Sequence, residues 1–144
     1  MVPIARLNRD TLRILAGSRL EESRVLLENK FWTGAYYMTG LAVECALKSC
    51  LASAVKEYDF PDKQFVNAMY VHSLENLFKL NGALGAELQT DIKTDAKLGV
   101  NWSTVKDWND GKRYDIVEEL EAKALYEAST EARSGVMEWI RGRW

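Results

Sequence analysis

The sequence predicts an all-α fold, an antiparallel up-and-down bundle of four to five helices. Apolar residues recur at three- and four-residue steps nearly throughout, and no run alternates as a strand would. The 144 residues suit one domain with a single core, and no repeat, low-complexity run or linker divides residues 1–144.

The first helix is expected from about Asn8 to Asn29. Leu12, Leu15, Ala16, Ser23, Leu26 and Leu27 share a face, with Arg9, Arg13, Glu21, Arg24 and Glu28 opposite. Asn29-Lys30 closes it, because asparagine tolerates the left-handed conformation that ends helices. A second helix, about Thr33 to Tyr58, is the most apolar and belongs in the middle. Its small residues, among them Gly34, Gly40, Ala42 and Ala46, admit close neighbours. Pro61 stops it, and a loop is expected to reach His72-Ser73.

Ser73 caps a short helix over Leu74–Leu80, ended by Asn81-Gly82. A more polar helix follows over about Leu84–Leu98. Gly99 is expected to break it, and Trp102, Val105 and Trp108 mark one further turn before the turn signal Asn109-Asp-Gly111. The last helix is expected from Asp115 to Arg141. Its acids Glu118, Glu119 and Glu121 come early and its bases Arg133 and Arg141 late, as the helix dipole favours.

Composition removes several function classes. With 47% hydrophobic and 28% charged residues the chain is neither disordered nor collagen-like, and two cysteines make no disulfide scaffold. A net charge of −2 gives no global attraction to nucleic acid or anionic lipid. The single histidine excludes any site built on two or three of them, and no metal or cofactor is expected. Cys45 and Cys50 point to different sides of one helix and are read as buried thiols in a reducing compartment. Met1–Arg6 holds no apolar run long enough for a signal peptide. The apolar segment Ala35–Val55 carries Glu44 and Lys48 at its centre, which argues for a core helix, not a membrane span. The expected location is the cytoplasm.

Glu44 and Lys48 are also the first chemical lead. They stand four apart on one helix face, with Tyr37 one heptad before Glu44. Charges in so apolar a helix must be satisfied. Glu44 is either an anchor for a neighbouring segment or a carboxylate facing a cleft. Asp91 and Asp95, also four apart, are either a solvated face or a divalent-ion pair. Of the five tryptophans, Trp32, Trp108 and Trp139 suit core or dimer contacts, and Trp144 is expected as an exposed tail that touches RNA or a partner. No glycine-rich phosphate loop is present.

The run Phe31-Trp-Thr-Gly-Ala35-Tyr36-Tyr37, continued by Gly40, Ala42-Val43-Glu44-Cys45 and Leu47-Lys48, resembles the HEPN domain (higher eukaryotes and prokaryotes nucleotide-binding). So do Arg19 with Ser23-x-x-Leu26-Leu27, His72-Ser-Leu74-x-x-Leu77, and Trp108 followed by Arg113-Tyr114-Asp115. The resemblance covers essentially the whole chain in the family's order. It implies a helical bundle, commonly dimeric, of one of two functional kinds. Some members are metal-independent endoribonucleases, often toxins, marked by R-x4–6-H. Others lack that motif and serve as nucleotide-binding helpers or partners of nucleotidyltransferases, often in toxin–antitoxin pairs.

This chain departs from the first kind. After Arg113 the motif's histidine positions hold Glu118, Glu119 and Leu120. RNA cleavage through the 2′-hydroxyl needs a base near neutral pKa and a cation for the phosphorane. Only His72 and Arg113 are left to meet in space as a non-standard pair. In the plainer reading His72 hydrogen-bonds backbone and Arg113 pairs with Glu44 or with an early acid of the last helix. Glu44, Lys48, His72, Arg113 and Tyr114 would then form one polar network, which either binds a nucleotide or only sets helix register. Three functions follow as expectations: a nucleotide- or RNA-binding partner protein, an endoribonuclease using His72 and Arg113, and a homodimeric scaffold without ligand.

Overall fold

Asn8 caps the first helix through its side chain, which accepts from the Thr11 N–H at 2.8 Å, and α1 runs Arg9–Glu28. The structure, a computed structural model, describes residues 7–144; Met1–Arg6, read above for a targeting signal, lie outside them. Among the described residues every regular element is helical: α2 (Trp32–Ala54), α3 (Lys63–Met69), α4 (Leu74–Leu80), α5 (Gly82–Thr94), α6 (Ala96–Lys106), a 3-10 turn (Asp110–Tyr114), α7 (Glu119–Thr130) and α8 (Val136–Arg141). The all-α bundle stands, built from more pieces than the periodicity suggested.

Lys30, not Asn29, takes the left-handed conformation that ends α1, with φ 64° against −96° at Asn29. The Phe31 N–H donates to Leu26 and the Lys30 N–H to Leu27, which satisfies the last carbonyls of the helix. The chain then turns directly into α2. This helix touches α1, α4, α7, α8 and the 3-10 turn, which explains why its surface is apolar nearly all round. Ser23 of α1 and Thr39 of α2 are both fully buried, and both donate to the Ala35 carbonyl, at 2.8 and 2.9 Å. That shared acceptor stitches the two helices together at a dry interface.

Three expectations about the later elements are corrected. The stretch before His72 is not all loop, because Asp62 accepts from the Phe65 N–H at 3.1 Å and caps α3. The break between α5 and α6 falls at Asp95, which caps α6 through the Leu98 N–H; Gly99 lies inside α6, where a Cβ would meet Ile92 at 3.0 Å. The long last helix is two helices. At Gly135 the chain passes so close to itself that a Cβ would fall 2.4 Å from the Glu131 carbonyl oxygen. The Glu131 carboxylate accepts from the N–H groups of Arg133 and Ser134 and holds that turn.

The core runs along α2, with Leu47, Leu51, Leu74, Leu77, Leu98, Trp108, Leu125, Met137 and Ile140 essentially without solvent contact. No helix among the described residues is long and apolar enough to cross a membrane.

Candidate functional site

Glu44 sits on the most enclosed element of the fold and is 5% exposed. Its Oε1 lies 2.7 Å from His72 Nδ1, and its Oε2 lies 3.6 Å from Lys48 Nζ. The short contact is a hydrogen bond and the longer one an ion pair without a direct bond. An ionised carboxylate can only accept, so the imidazole presents Nδ1–H to Glu44 and keeps Nε2 for whatever approaches from outside. His72 is half exposed, and it stands just before Ser73, the cap of α4. Glu44 thereby anchors the strand of chain between α3 and α4 onto α2, across 28 residues of sequence. Lys48, only 16% exposed in its side chain, is neutralised by the same carboxylate.

Arg113 and Tyr114 lie on the 3-10 turn, which meets α2 at another place. The Asn109 side chain accepts from the Gly111 N–H and starts the 3-10 turn that carries them. Trp108, 1% exposed, packs on Gly40, and Tyr37 stands beside it with ring centroids 6.0 Å apart. The Arg113 guanidinium lies 4.9 Å from the Tyr114 ring, with Tyr37 close enough to act on it electrostatically. Tyr114, and then Tyr37, hold its pKa above the usual arginine value. Among the described residues no carboxylate pairs with Arg113. Of the acids of this region, Asp115 and Glu121 contact Lys112 instead, at 3.8 and 3.7 Å. Burial, reinforced by Glu121, Asp107 and Asp115, pushes Tyr36 beneath it up to about 12.

The expected single network is therefore two clusters. Tyr37 and Glu44 are two helical turns apart, roughly 10.5 Å along the axis at 1.5 Å per residue. His72 joins Glu44 and Lys48; Arg113 and Tyr114 join Tyr37. The expected pairing of Arg113 with Glu44, or with an early acid of the last helix, does not form.

A groove of about 1130 Å³ opens beside the Glu44 cluster. The start of α1 (Arg9, Asp10, Leu12), Lys48 of α2, Val55 and Lys56 just after that helix and Tyr70 just after α3 line it, so Lys48 links the groove wall to Glu44. Of the aromatic residues between α2 and α4, Tyr70 lines the groove, in a stretch read from the sequence as loop.

Other candidates resolve into structure. Asp91 accepts from Trp139 Nε1 and from Arg143 Nη2, both at 2.8 Å, and Asp95 accepts from Ser134 Oγ at 2.9 Å besides capping α6. Neither aspartate is a solvated face, and no group of three metal-binding side chains occurs among the described residues. Trp144 is not a free tail: it packs against the core, with the guanidinium of Arg13 at 5.7 Å and that of Arg141 at 5.9 Å from its ring. Cys50 is buried and Cys45 half-buried; both are free, and burial raises both thiol pKa values. Comparison with protein-family models, curated proteins and solved structures returns no match, so the resemblance to HEPN domains rests on the motifs of the chain itself.

Proposed function

We propose that the chain is a HEPN-type nucleotide- or RNA-binding regulatory protein, cytoplasmic and homodimeric, that works beside a nucleotidyltransferase or within a toxin–antitoxin or defence pair. Its mechanism is binding, not bond-breaking. The observation that carries this reading is the state of its cations. Lys48 is neutralised by Glu44 and His72 is engaged by it, whereas Arg113 lies against the Tyr114 ring with no carboxylate partner among the described residues. A guanidinium so placed keeps its charge and its donor fork for a phosphate. Tyr114, 80% exposed beside it, offers a ring for a base.

Thermal unfolding with nucleoside triphosphates and with a short single-stranded RNA tests this. A ligand at about a hundred times its dissociation constant adds roughly 2.7 kcal/mol to the folded state. Arg113→Ala should abolish the shift and leave the unliganded midpoint nearly unchanged. If neither probe moves the wild-type midpoint, the scaffold reading replaces the binder. Co-expression and pull-down with the protein encoded next to this chain tests the partner: a stoichiometric nucleotidyltransferase supports the proposal.

The endoribonuclease reading keeps one specific support, the hydrogen bond from His72 to Glu44, which orients an imidazole as a general base is oriented. Labelled RNA incubated with the protein, with and without EDTA and across the pH range, decides it. Cleavage lost in His72→Ala establishes the enzyme, and intact RNA removes it.

A further inference from the structure

Tyr36 of α2 is 4% exposed and belongs to the core. Its hydroxyl has no hydrogen-bond partner among the described residues. Nor is it sealed in, for the unpartnered side-chain atoms closed off from solvent there are Arg13 Nε and Trp108 Nε1. The one polar atom of a buried ring opens into a cavity of about 360 Å³. Tyr36 shares that cavity with Ser103 and Thr104 of α6, Asp107 at the end of α6 and Glu121 of α7. A buried phenol ordinarily bonds within the protein, so one that faces a cavity marks a position for a ligand.

The wall around that hydroxyl offers acceptors. The Asp107 and Glu121 carboxylates have no proton to give. Ser103 and Thr104 turn theirs to the Gly99 and Val100 carbonyls, at 3.3 and 3.4 Å, and keep lone pairs for the cavity. Charge has the same sense. After burial, the groups that hold the Tyr36 phenol up are Glu121, Asp107 and Asp115, all carboxylates. Ser103 and Thr104 stand in the last turn of α6, so the negative end of its dipole adds to them. One cation of the chain already sits in this field: the Lys112 ammonium lies 6.0 Å from the Tyr36 ring centroid, 3.7 Å from Glu121 and 3.8 Å from Asp115. It bonds neither directly. Asp107 has no cationic partner among the described residues, and Lys106, the base of the same turn, makes no ion pair with it.

We propose that this pocket binds a small aliphatic diamine as its doubly charged diammonium form, one head on Asp107 and the α6 terminus, the other on Glu121 beside the Tyr36 hydroxyl. The acceptor wall turns away phosphates and carboxylates, which need donors. A metal ion does not suit the arrangement, because among the described residues no three metal-binding side chains gather closely enough to hold one. Val100 and Ala124 complete the lining and give the methylene stem an apolar surface. At about 360 Å³ the cavity is at the small end of the roughly 300–1,000 Å³ of ligand pockets. Two anionic walls also favour a molecule with two heads over the single ammonium of a partner's lysine. The pocket uses neither Arg113 nor the Glu44 cluster, so it stands or falls apart from the nucleotide reading.

Calorimetric titration of the full chain with 1,4-diaminobutane at low ionic strength should show saturable binding. 1-Aminobutane, with one head, should bind about tenfold more weakly or worse. Tyr36→Phe removes an unpartnered oxygen and leaves the packing, so it should unfold as the wild type does while its affinity for the diamine falls several-fold. Asp107 and Glu121 are exposed, and Asp107→Asn/Glu121→Gln should keep the fold and weaken binding by about tenfold or more. Lys112→Met withdraws the competing ammonium and should tighten binding. Absence of saturable binding overturns the proposal, as does equal affinity for 1-aminobutane or Mg²⁺. An affinity that Tyr36→Phe and the double variant both leave unchanged overturns it too, and reduces the effect to diffuse attraction by a negative surface.

Discussion

The indole of Trp108 lies so close to the backbone of Gly40 that a Cβ there would fall 1.9 Å from Cε2 and 2.1 Å from Cδ2. This contact decides where the chain after α6 meets α2. The 3-10 turn follows within two residues, so the depth of Trp108 sets the position of Arg113 beside Tyr37. Neither partner can yield cheaply. Gly40 is in the middle of α2, and Trp108 is 1% exposed in a packed interior.

Gly40→Ala should therefore destabilise the fold despite improving helix propensity. Overpacking costs about 1–3 kcal/mol, against a propensity gain of at most about 1 kcal/mol. The measurement is denaturant unfolding followed by tryptophan fluorescence. A variant as stable as the wild type would mean that the indole has another place to go.

Glu44→Gln tests the other cluster. Glutamine keeps the shape and can still accept from His72, but it leaves the mostly buried Lys48 ammonium without a counter-charge. A loss of about 1–3 kcal/mol is expected, and Glu44→Ala should cost more, about 3–5 kcal/mol. Lys48→Met should recover part of the loss in the Gln background and none in the wild type. That double-mutant coupling separates an orphaned charge from a general packing defect.

Local spacing made part of this legible. The i, i+4 relation of Glu44 and Lys48 was readable because a helix brings such residues together by its own geometry. His72 meets Glu44 as the expected polar network had it; what the sequence hides is α3 in the 28 residues between them, because its cap signal Asp62 follows a helix-stopping proline. The last helix reads as continuous because Glu131, Arg133 and Ser134 are all compatible with helix. Only the close passage at Gly135 breaks it, and closeness between segments is a tertiary fact. Charge alone pairs Arg113 with Glu44 or with an early acid of the last helix; its distance from Glu44 along α2 follows from the seat of Trp108 on Gly40, which no periodicity contains. Trp144 reads as a tail because it is terminal, and its place between Arg13 and Arg141 depends on how α1 and α8 meet.

At the end of α1 the left-handed residue is Lys30, φ 64°, where glycine is the usual choice. Lys30→Gly should stabilise the protein by about 1 kcal/mol, because the strain removed exceeds the added freedom of the unfolded chain. For a chain of this length that is a rise of roughly 3 °C in the unfolding midpoint. A fall would show that the lysine charge, which faces Glu119, outweighs the backbone term.

Acid sensitivity should concentrate at the junction of α5, α6 and α8. The Leu98 N–H first, then the Ser134 hydroxyl, hold the Asp95 carboxyl below its ordinary value of 3.8. The Ser134 N–H first, then the Arg133 N–H, hold Glu131 below 4.5. A depressed folded pKa means that the unfolded chain takes up protons first as the pH falls. The stabilisation is thus complete above the ordinary carboxylate range and is lost as the pH drops through the folded values. Glu21 and Glu119 are lowered as well, but chiefly by their side-chain partners Arg24 and Lys123 on the surface. High salt screens those ion pairs and leaves hydrogen bonds to backbone N–H groups in place. In high salt, Asp95→Asn/Glu131→Gln should lower the unfolding midpoint near neutrality and flatten its decline between neutral and acidic pH. A variant whose midpoint falls with acid as steeply as the wild type would place the acid-labile contacts elsewhere.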